Sequence, residues 1–163
     1  MVQRILSGSL HERRRLQNIQ KMMEKLEVLR QVNALLLQVD PSMLLYGADI
    51  TALSELRTLQ PGDLLSPAHE GQRESACIIK GVLRAYHIGE NETETTVHLL
   101  AEGGVILRTN GYEEILASHL YKYQALTPVL LAVWGQDALD YFAQTLPNWF
   151  QFSMKMNQYI LLK

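Results

Sequence analysis

The chain contains very little cysteine, since Cys77 is the only one among 163 residues. Small secreted domains that depend on disulfides carry cysteines in pairs, so an internal disulfide framework is excluded and a reducing cytoplasm is the expected location. Cys77 stands between Ala76 and Ile78 in an apolar run. This position predicts a buried, unreactive thiol rather than a nucleophile.

Long apolar runs and an excess of one charge are also absent. No run approaches the ~20 residues that a membrane-spanning helix needs, and the N-terminus lacks the apolar segment of a signal peptide. The 15 basic and 17 acidic residues leave a net charge of −2, so no overall positive field attracts nucleic acid or an anionic membrane. The cluster Arg13, Arg14 and Arg15 is interspersed with acidic neighbours such as Glu12 and predicts a solvated helix face.

Recognisable catalytic motifs are missing as well. The sequence has no Gly-x-Ser-x-Gly elbow and no Walker loop, so neither of these enzyme classes is indicated. A metal-dependent cupin enzyme needs two or three histidines and a carboxylate around one metal. The 5 histidines are scattered without a His-x-His pair, although His87 and His98 are placed to face each other across a hairpin. We therefore expect no catalytic residue and no metal site.

Short strand patterns occupy residues 75–134 and organise the chain. Segments 75–79, 82–88, 93–100, 121–126 and 129–134 are rich in β-branched or aromatic residues and are bounded by Gly, Pro or Asn. Such segments are typical of successive antiparallel strands. We predict a mainly β protein with flanking helices, in which a small β-roll is formed by residues 50–135. Residues 1–49 and 136–163 then form an N-terminal and a C-terminal helical segment.

A long helix is predicted before the roll. Residues 10–39 contain no Gly or Pro and are rich in good helix formers. Ser9 is placed to cap the start, and Asp40-Pro41 to end the helix. Apolar residues recur at helical spacing and predict an amphipathic helix. After it we expect a short helical turn over residues 42–46, a loop over 47–49 and an extended segment over 50–59.

Two further segments interrupt or follow the strands. Between residues 101 and 120 the strand pattern is replaced by a glycine-rich loop followed by a short helix. The free backbone N–H groups of such a segment suit an anionic ligand. The alternative is that the segment only connects two ends of the roll. After Gly135, Asp137 is expected to cap a helix that continues to about Thr145. A last helix begins near Pro147 and is apolar on almost every side, which favours burial against a second subunit over burial within one chain.

This order of elements resembles the cyclic-nucleotide-binding domain of Crp-Fnr type transcriptional regulators. The resemblance covers roughly residues 50–163 and is carried by the Pro61-Gly62-Asp63 turn, Gly71, and the Ile-Ile-Lys-Gly81-Val-Leu-Arg strand pair. It implies a cupin-like jelly roll with an N-terminal helix and a long C-terminal dimerisation helix. In that family the C-terminal helix leads into a DNA-binding helix-turn-helix, and the printed sequence stops before such a motif. Binding to DNA is thus expected only if a further half exists.

The family's phosphate-binding cassette places the expected ligand site. The cassette reads Gly-Glu-Leu, a short helix, then Arg-Ser/Thr-Ala. Its first part resembles Leu107-Arg108-Thr109, and its second His119-Leu120-Tyr121. Arg108 therefore stands where the family has the ribose-binding glutamate. His119 stands where it has the phosphate-binding arginine, whose two-pronged hydrogen bonding a histidine cannot reproduce.

The resemblance implies a ligand-sensing or dimerising regulatory domain with a non-standard or lost cyclic nucleotide site. The expected ligand contacts are Arg108, Thr109, Ser118 and His119, and no cofactor is required beyond a cyclic nucleotide or another small anion. The expected partner is a second copy of the chain, joined through the C-terminal helix. A ligand-free protein interaction module is the alternative, and a metal-dependent cupin enzyme a more distant one.

Overall fold

A computed structural model describes residues 9–66, 72–109 and 121–161. Within these residues the strands are β1 (Glu55–Leu59), β2 (Arg73–Lys80), β3 (Leu83–Ile88), β4 (Glu94–Leu100), β5 (Val105–Thr109), β6 (Lys122–Ala125) and β7 (Val129–Trp134). The α-helices are α1 (Leu10–Val39), α2 (Gly47–Ala52), α3 (Gln136–Thr145) and α4 (Trp149–Leu161), with 3-10 turns at Pro41–Tyr46 and Glu90–Glu92.

The strands form two antiparallel sheets. The larger sheet has the order β1-β7-β2-β5, and the smaller one has the order β4-β3-β6. The chain changes sheet between β2 and β3, between β4 and β5, between β5 and β6, and between β6 and β7, which is the connectivity of a roll rather than of a simple meander. The predicted β-roll with flanking helices is thereby confirmed.

The larger sheet lies in the middle of the molecule because both of its faces are covered. Ile78 and Leu131 point into the roll toward the smaller sheet, together with Leu83 of β3. Cys77 and Ala132, on the other face, pack against the helices. Burial on both faces explains why β7 is apolar throughout and buried at every position.

The first long helix begins and ends where the sequence predicts. The Ser9 Oγ accepts a hydrogen bond from the Glu12 N–H at 3.1 Å, which satisfies one of the free donors of the first turn. The Asp40 N–H donates to the Leu36 carbonyl at 2.8 Å, and Pro41 then starts the 3-10 turn. The second half of α1 packs on the larger sheet through Val28, Val32 and Leu36.

The loop predicted over residues 47–49 is wrong, because these residues open helix α2. Tertiary contacts outweigh the loop signal of Gly47. A methyl group on Gly47 would lie 3.2 Å from Cγ of Asn33 on α1, so the absent side chain lets the two helices approach closely. Lys25 completes this contact by donating to the Thr51 carbonyl in the last turn of α2 at 3.3 Å and to the Ser54 carbonyl just beyond the helix at 2.6 Å.

Part of the predicted loop over residues 101–120 is also corrected. Residues 105–109 form β5, which pairs with β2 so that Ile106 lies opposite Ala76. The pair Gly103-Gly104 looked like the start of a long loop, but it forms a tight turn in which the Gly104 N–H donates to the Ala101 carbonyl at 2.8 Å. The short helix predicted in this insertion falls on residues 110–120, outside the described residues.

The C-terminal helices cover the face of the larger sheet that lies outside the roll. The residue that caps α3 is Gly135 rather than Asp137, which lies within the first turn. Rings of Phe142, Trp149 and Phe152 pack in series with centroids 5.1 and 5.2 Å apart and join α3 to α4. None of the helices in the described ranges combines the length and apolar character needed to cross a membrane.

Candidate functional site

A half-open cleft of about 700 Å³ lies where the roll meets α1 and α4. The turn between β4 and β5 borders it on one side, and Tyr121 and Tyr123 border it on another. The side chains that line it come from both sheets and from both long helices. The polar and aromatic members of this lining are Gln31, Gln38, His98, Glu102, Tyr121, Tyr123 and Tyr159.

The floor of the cleft is one row of the smaller sheet. The strand register places His98 of β4 and Tyr123 of β6 on either side of Ala85 of β3. Ala85 is buried and small, so the middle of this row leaves room above it between two larger polar side chains. A volume of this size accommodates a small organic ligand.

Two helices close the cleft opposite this row, and polar contacts hold them together. The Tyr159 hydroxyl of α4 donates to Oε1 of Gln38 on α1 at 2.8 Å. The Lys155 ammonium lies 3.3 Å from the Asp40 carboxylate. Hydrogen bonds from Ser42, and then the ammonium of Lys155, hold the pKa of Asp40 below its usual value against the opposing effect of desolvation. Tyr159 therefore belongs both to the lining of the cleft and to the contact between α1 and α4.

The predicted ligand residues lie at or beyond the edge of the described site. Arg108 and Thr109 are the last residues of β5, where their backbones pair with Glu74 and Arg73 of β2. The structure does not describe their side chains. Ser118 and His119 lie outside the described residues, so their role as ligand contacts stays a prediction.

Residues that sequence reasoning did not select make up most of the described lining. Tyr121 and Tyr123 were assigned only to a strand, Gln31 only to a helix, and Tyr159 only to an apolar helix surface. Tyr159 and Gln31 are separated by most of the chain, and no local pattern reveals that they share a cleft. The one available signal was Tyr121-x-Tyr123, because residues two apart on a strand share a face.

The charge on the described lining is sparse. Glu102 is the one charged side chain among the described lining residues. Arg84 belongs to the outer face of the smaller sheet, where it donates to Gln124 at 2.8 Å and to Glu94 at 2.6 Å and stacks 4.1 Å above the ring of Tyr86. Its cation is therefore engaged on the side of the sheet opposite Ala85.

Two chemical expectations are decided by these positions. Cys77 is 1% exposed, and burial raises the pKa of its thiol to about 12, so the prediction of an unreactive thiol is confirmed. His87 and His98, which could have faced each other across the hairpin, are not directly opposite: His98 lies opposite Ala85 and His87 opposite Thr95. Within the described ranges no three metal-binding side chains cluster.

Known proteins resemble this chain in fold. No protein-family model matches the chain, and no curated protein matches it. Solved structures do match. A cyclic nucleotide-binding domain from Methylobacillus flagellatus superposes with a TM-score of 0.65 at 14% identity, over 86% of this chain and 77% of that one.

Two regulator domains give similar matches. The N-terminal domain of a transcriptional regulator from Streptomyces coelicolor A3(2) has a TM-score of 0.59 at 19% identity, over 82% of this chain and 91% of that one. The sensor domain of the transcriptional regulator DNR from Pseudomonas aeruginosa has a TM-score of 0.55 at 17% identity, over 82% and 85%. The chain has the fold of a cyclic-nucleotide-binding domain, as the resemblance in its sequence predicts.

Proposed function

We propose that this protein is a ligand-sensing, dimerising regulatory domain whose cyclic nucleotide site is altered or lost. The observation that carries the proposal is the cleft, because a ligand seated there would touch both the roll and the helix α4. The fold is shared with the sensor domain of DNR and with the Methylobacillus flagellatus domain. A ligand can shift such a protein only if it binds two arrangements of α4 with different affinity.

The ligand chemistry follows from the residues at the cleft. Three tyrosines and two glutamines supply ring faces and hydrogen-bonding groups. A cation for an anionic ligand would come from Arg108, which directly follows the lining residue Leu107 on β5. We therefore propose a small ligand with an aromatic or polar body and at most one anionic group held by Arg108, with Thr109, Ser118 and His119 as further contacts.

The outer face of α4 (Phe150 and Met154) supports the homodimer. These side chains are 72% and 50% exposed, although Phe152 and Met156 of the same helix are buried on the domain. At about 100° per residue, Phe150 and Met154 lie opposite the buried pair. An apolar stripe opposite the buried face is the feature that a symmetric helix seam requires. We propose that two copies of α4 meet there.

Binding is tested by thermal unfolding of the purified chain with cyclic AMP, cyclic GMP and a panel of small anionic metabolites. A ligand at ~100 times its dissociation constant adds about 2.7 kcal/mol to the free energy of unfolding. We expect one of these ligands to raise the unfolding midpoint, the rise to vanish in Arg108→Ala, and the matched cation control Lys122→Ala to keep it. No rise with any ligand would reject the sensor.

The dimer is tested by light scattering on Met154→Lys. A charge in the middle of the proposed seam should separate the two copies and so halve the mass that this contact produces, whereas Gln144→Lys adds the same charge at an exposed position of α3 and should leave the mass unchanged. If both variants keep the wild-type mass, the seam is elsewhere. A stable dimer that responds to no ligand would instead favour the protein interaction module.

A further inference from the structure

The first half of α1 carries an apolar stripe that its own domain leaves uncovered. Every residue of the helix from Leu10 to Met23 is exposed. Leu16, Ile19, Met23 and Leu26, called here the α1 stripe, are 67%, 40%, 59% and 58% exposed. A soluble domain that keeps four large apolar side chains in one row on its surface presents a surface for a partner.

The α1 stripe faces away from the body of the protein. Val28, Val32 and Leu36 of the same helix are buried on the larger sheet at 0%, 3% and 2% exposure. At about 100° per residue, the centre of the α1 stripe is rotated by roughly 160° from the centre of this buried set. A partner helix can therefore lie along the stripe without meeting the domain behind it.

The spacing within the stripe is that of a helix seam. The intervals from Leu16 to Ile19, to Met23 and to Leu26 are three, four and three residues, which is the a/d pattern of a coiled coil over two heptads. Four residues before Leu16 the same helix face carries Glu12, and four residues after Leu26 it carries Arg30. The apolar row is thus closed by one negative and one positive charge.

We propose that α1 pairs with α1 of a second copy of this chain, in antiparallel orientation, along the α1 stripe. In this register Leu16 packs against Leu26 of the second copy and Ile19 against Met23 of the second copy, so every apolar side chain of the row has an apolar neighbour. The bodies of the two copies lie on the outer sides of the helix pair.

The charges of Glu12 and Arg30 favour a second copy of α1 as the partner and favour the antiparallel orientation of the pair. In the antiparallel pair, Glu12 of each copy meets Arg30 of the other, which gives two attractive contacts per dimer. A parallel pair would place Glu12 beside Glu12 and Arg30 beside Arg30, and like charges at such positions are repulsive. Arg30 is 61% exposed in its side chain and already bonds Glu27 within the helix, so Glu12 of the second copy would complete a three-membered cluster.

This contact is separate from the proposed seam on α4. The α1 stripe and the outer face of α4 belong to different helices, and each is self-complementary. Two symmetric surfaces on one chain allow pairs to join into a larger assembly. The Met154→Lys variant removes only the α4 contact, so the test of the α1 contact is performed in the wild-type chain and repeated in that background.

Thiol cross-linking tests the register directly. Leu16→Cys and Leu26→Cys are prepared as separate full-length proteins, mixed, and treated with a short thiol-to-thiol cross-linker. The native Cys77 is 1% exposed and will not react in the folded chain. We expect a cross-linked dimer in the mixture and none with either variant alone. The matched control Asn18→Cys, on another face of the same helix, should give none with Leu26→Cys.

Charge reversal tests the ends of the pair. Glu12→Arg alone and Arg30→Glu alone each turn two attractive contacts into two repulsive ones, which should raise the dissociation constant of the α1 contact about tenfold. An equimolar mixture of the two variants restores opposite charges at both ends and should recover the wild-type value. The measurement is sedimentation equilibrium over a range of protein concentrations in the Met154→Lys background.

Three outcomes would overturn the proposal. Cross-links within each single variant, with none between the two, would show a parallel pair. Unchanged association in both charge variants would show that the end contacts do not form. Absence of any cross-link, together with binding of the wild-type chain to vesicles containing anionic lipid that Ile19→Lys abolishes, would assign the α1 stripe to a membrane surface instead of a second copy.

Discussion

The substitution Gly81→Ala probes how tightly the roll closes at one end. Gly81 lies in the turn between β2 and β3 with φ of +97°, a backbone conformation that side chains disfavour. An added methyl group would be well inside contact distance of the Pro128 carbonyl oxygen, 2.9 Å from Cγ2 of Val129 and 3.0 Å from Oγ1 of Thr127. Two turns of the roll would therefore have to separate.

Gly62→Ala is a matched comparison. Gly62 has nearly the same φ of +92°, but nothing lies within 4 Å of the position of its missing methyl group. Backbone strain costs roughly 1–2 kcal/mol in either variant, and the stiffer unfolded chain offsets about 0.4–1 kcal/mol of it. Overpacking adds roughly 1–3 kcal/mol only at Gly81.

We therefore expect a loss of about 3 kcal/mol in the free energy of unfolding for Gly81→Ala and about 1 kcal/mol for Gly62→Ala. For a domain of this size the larger loss lowers the unfolding midpoint by about 6–12 °C. The assay is urea and thermal unfolding followed by circular dichroism. Equal losses in the two variants would refute the reasoning, because the difference depends only on the close approach of the turn at Gly81 to the β6–β7 turn.

Three further predictions concern ionisable groups. Burial raises the pKa of Cys77 from 9.0 to about 12, so the unfolded chain loses the thiol proton at a lower pH than the folded chain does. The stabilisation from the buried neutral thiol is therefore fully present below pH 9, and the free energy of unfolding measured in urea should fall above it, by about 1.4 kcal/mol at pH 10. Cys77→Ala should remove this dependence on pH. Hydrogen bonds from Ser42 lower the pKa of Asp40. The ionised carboxylate therefore stabilises the fold above the ordinary pKa of an aspartate, and this stabilisation is lost as the pH falls through the lowered pKa of the folded state. In Asp40→Asn the free energy of unfolding should fall less steeply with acid. Lys25→Met removes charge-assisted hydrogen bonds at the end of α2. It should lower the free energy of unfolding by about 2 kcal/mol and speed up amide hydrogen exchange in α2. The control Lys21→Met, at an exposed position, should change the free energy of unfolding little.

Much of the fold was predictable because its signals are local. The Ser9 cap and the Asp40-Pro41 stop act within a few residues of the ends of α1. The alternation and turn residues around β2, β3 and β7 also operate over short stretches. The errors occurred where distant contacts outweighed local preference. Gly47 opens a helix because Asn33 and Lys25 of α1 pack against that segment, and β5 forms because β2 offers an unpaired edge.

The cleft in the described part of the chain was not predicted from the sequence, for a physical reason. The sequence pointed to Arg108 and His119 through a resemblance, and that resemblance is confirmed only as a fold. The cleft is lined by Gln31, Tyr123 and Tyr159, which come from three distant parts of the chain. No spacing rule connects such residues, since their meeting depends on how α1 and α4 pack on the roll.

Composition and patterns of two to four residues were enough to predict helix α1, strands β2, β3 and β7, the burial of Cys77 and the absence of recognisable catalytic motifs. Only the tertiary structure decided which side of each helix is free. The apolar spacing of α1 predicted one amphipathic face, yet the structure buries Val32 and Leu36 and exposes Leu16 and Met23 on nearly opposite sides. A helix has two sides available for packing, and the domain itself covers only one of them.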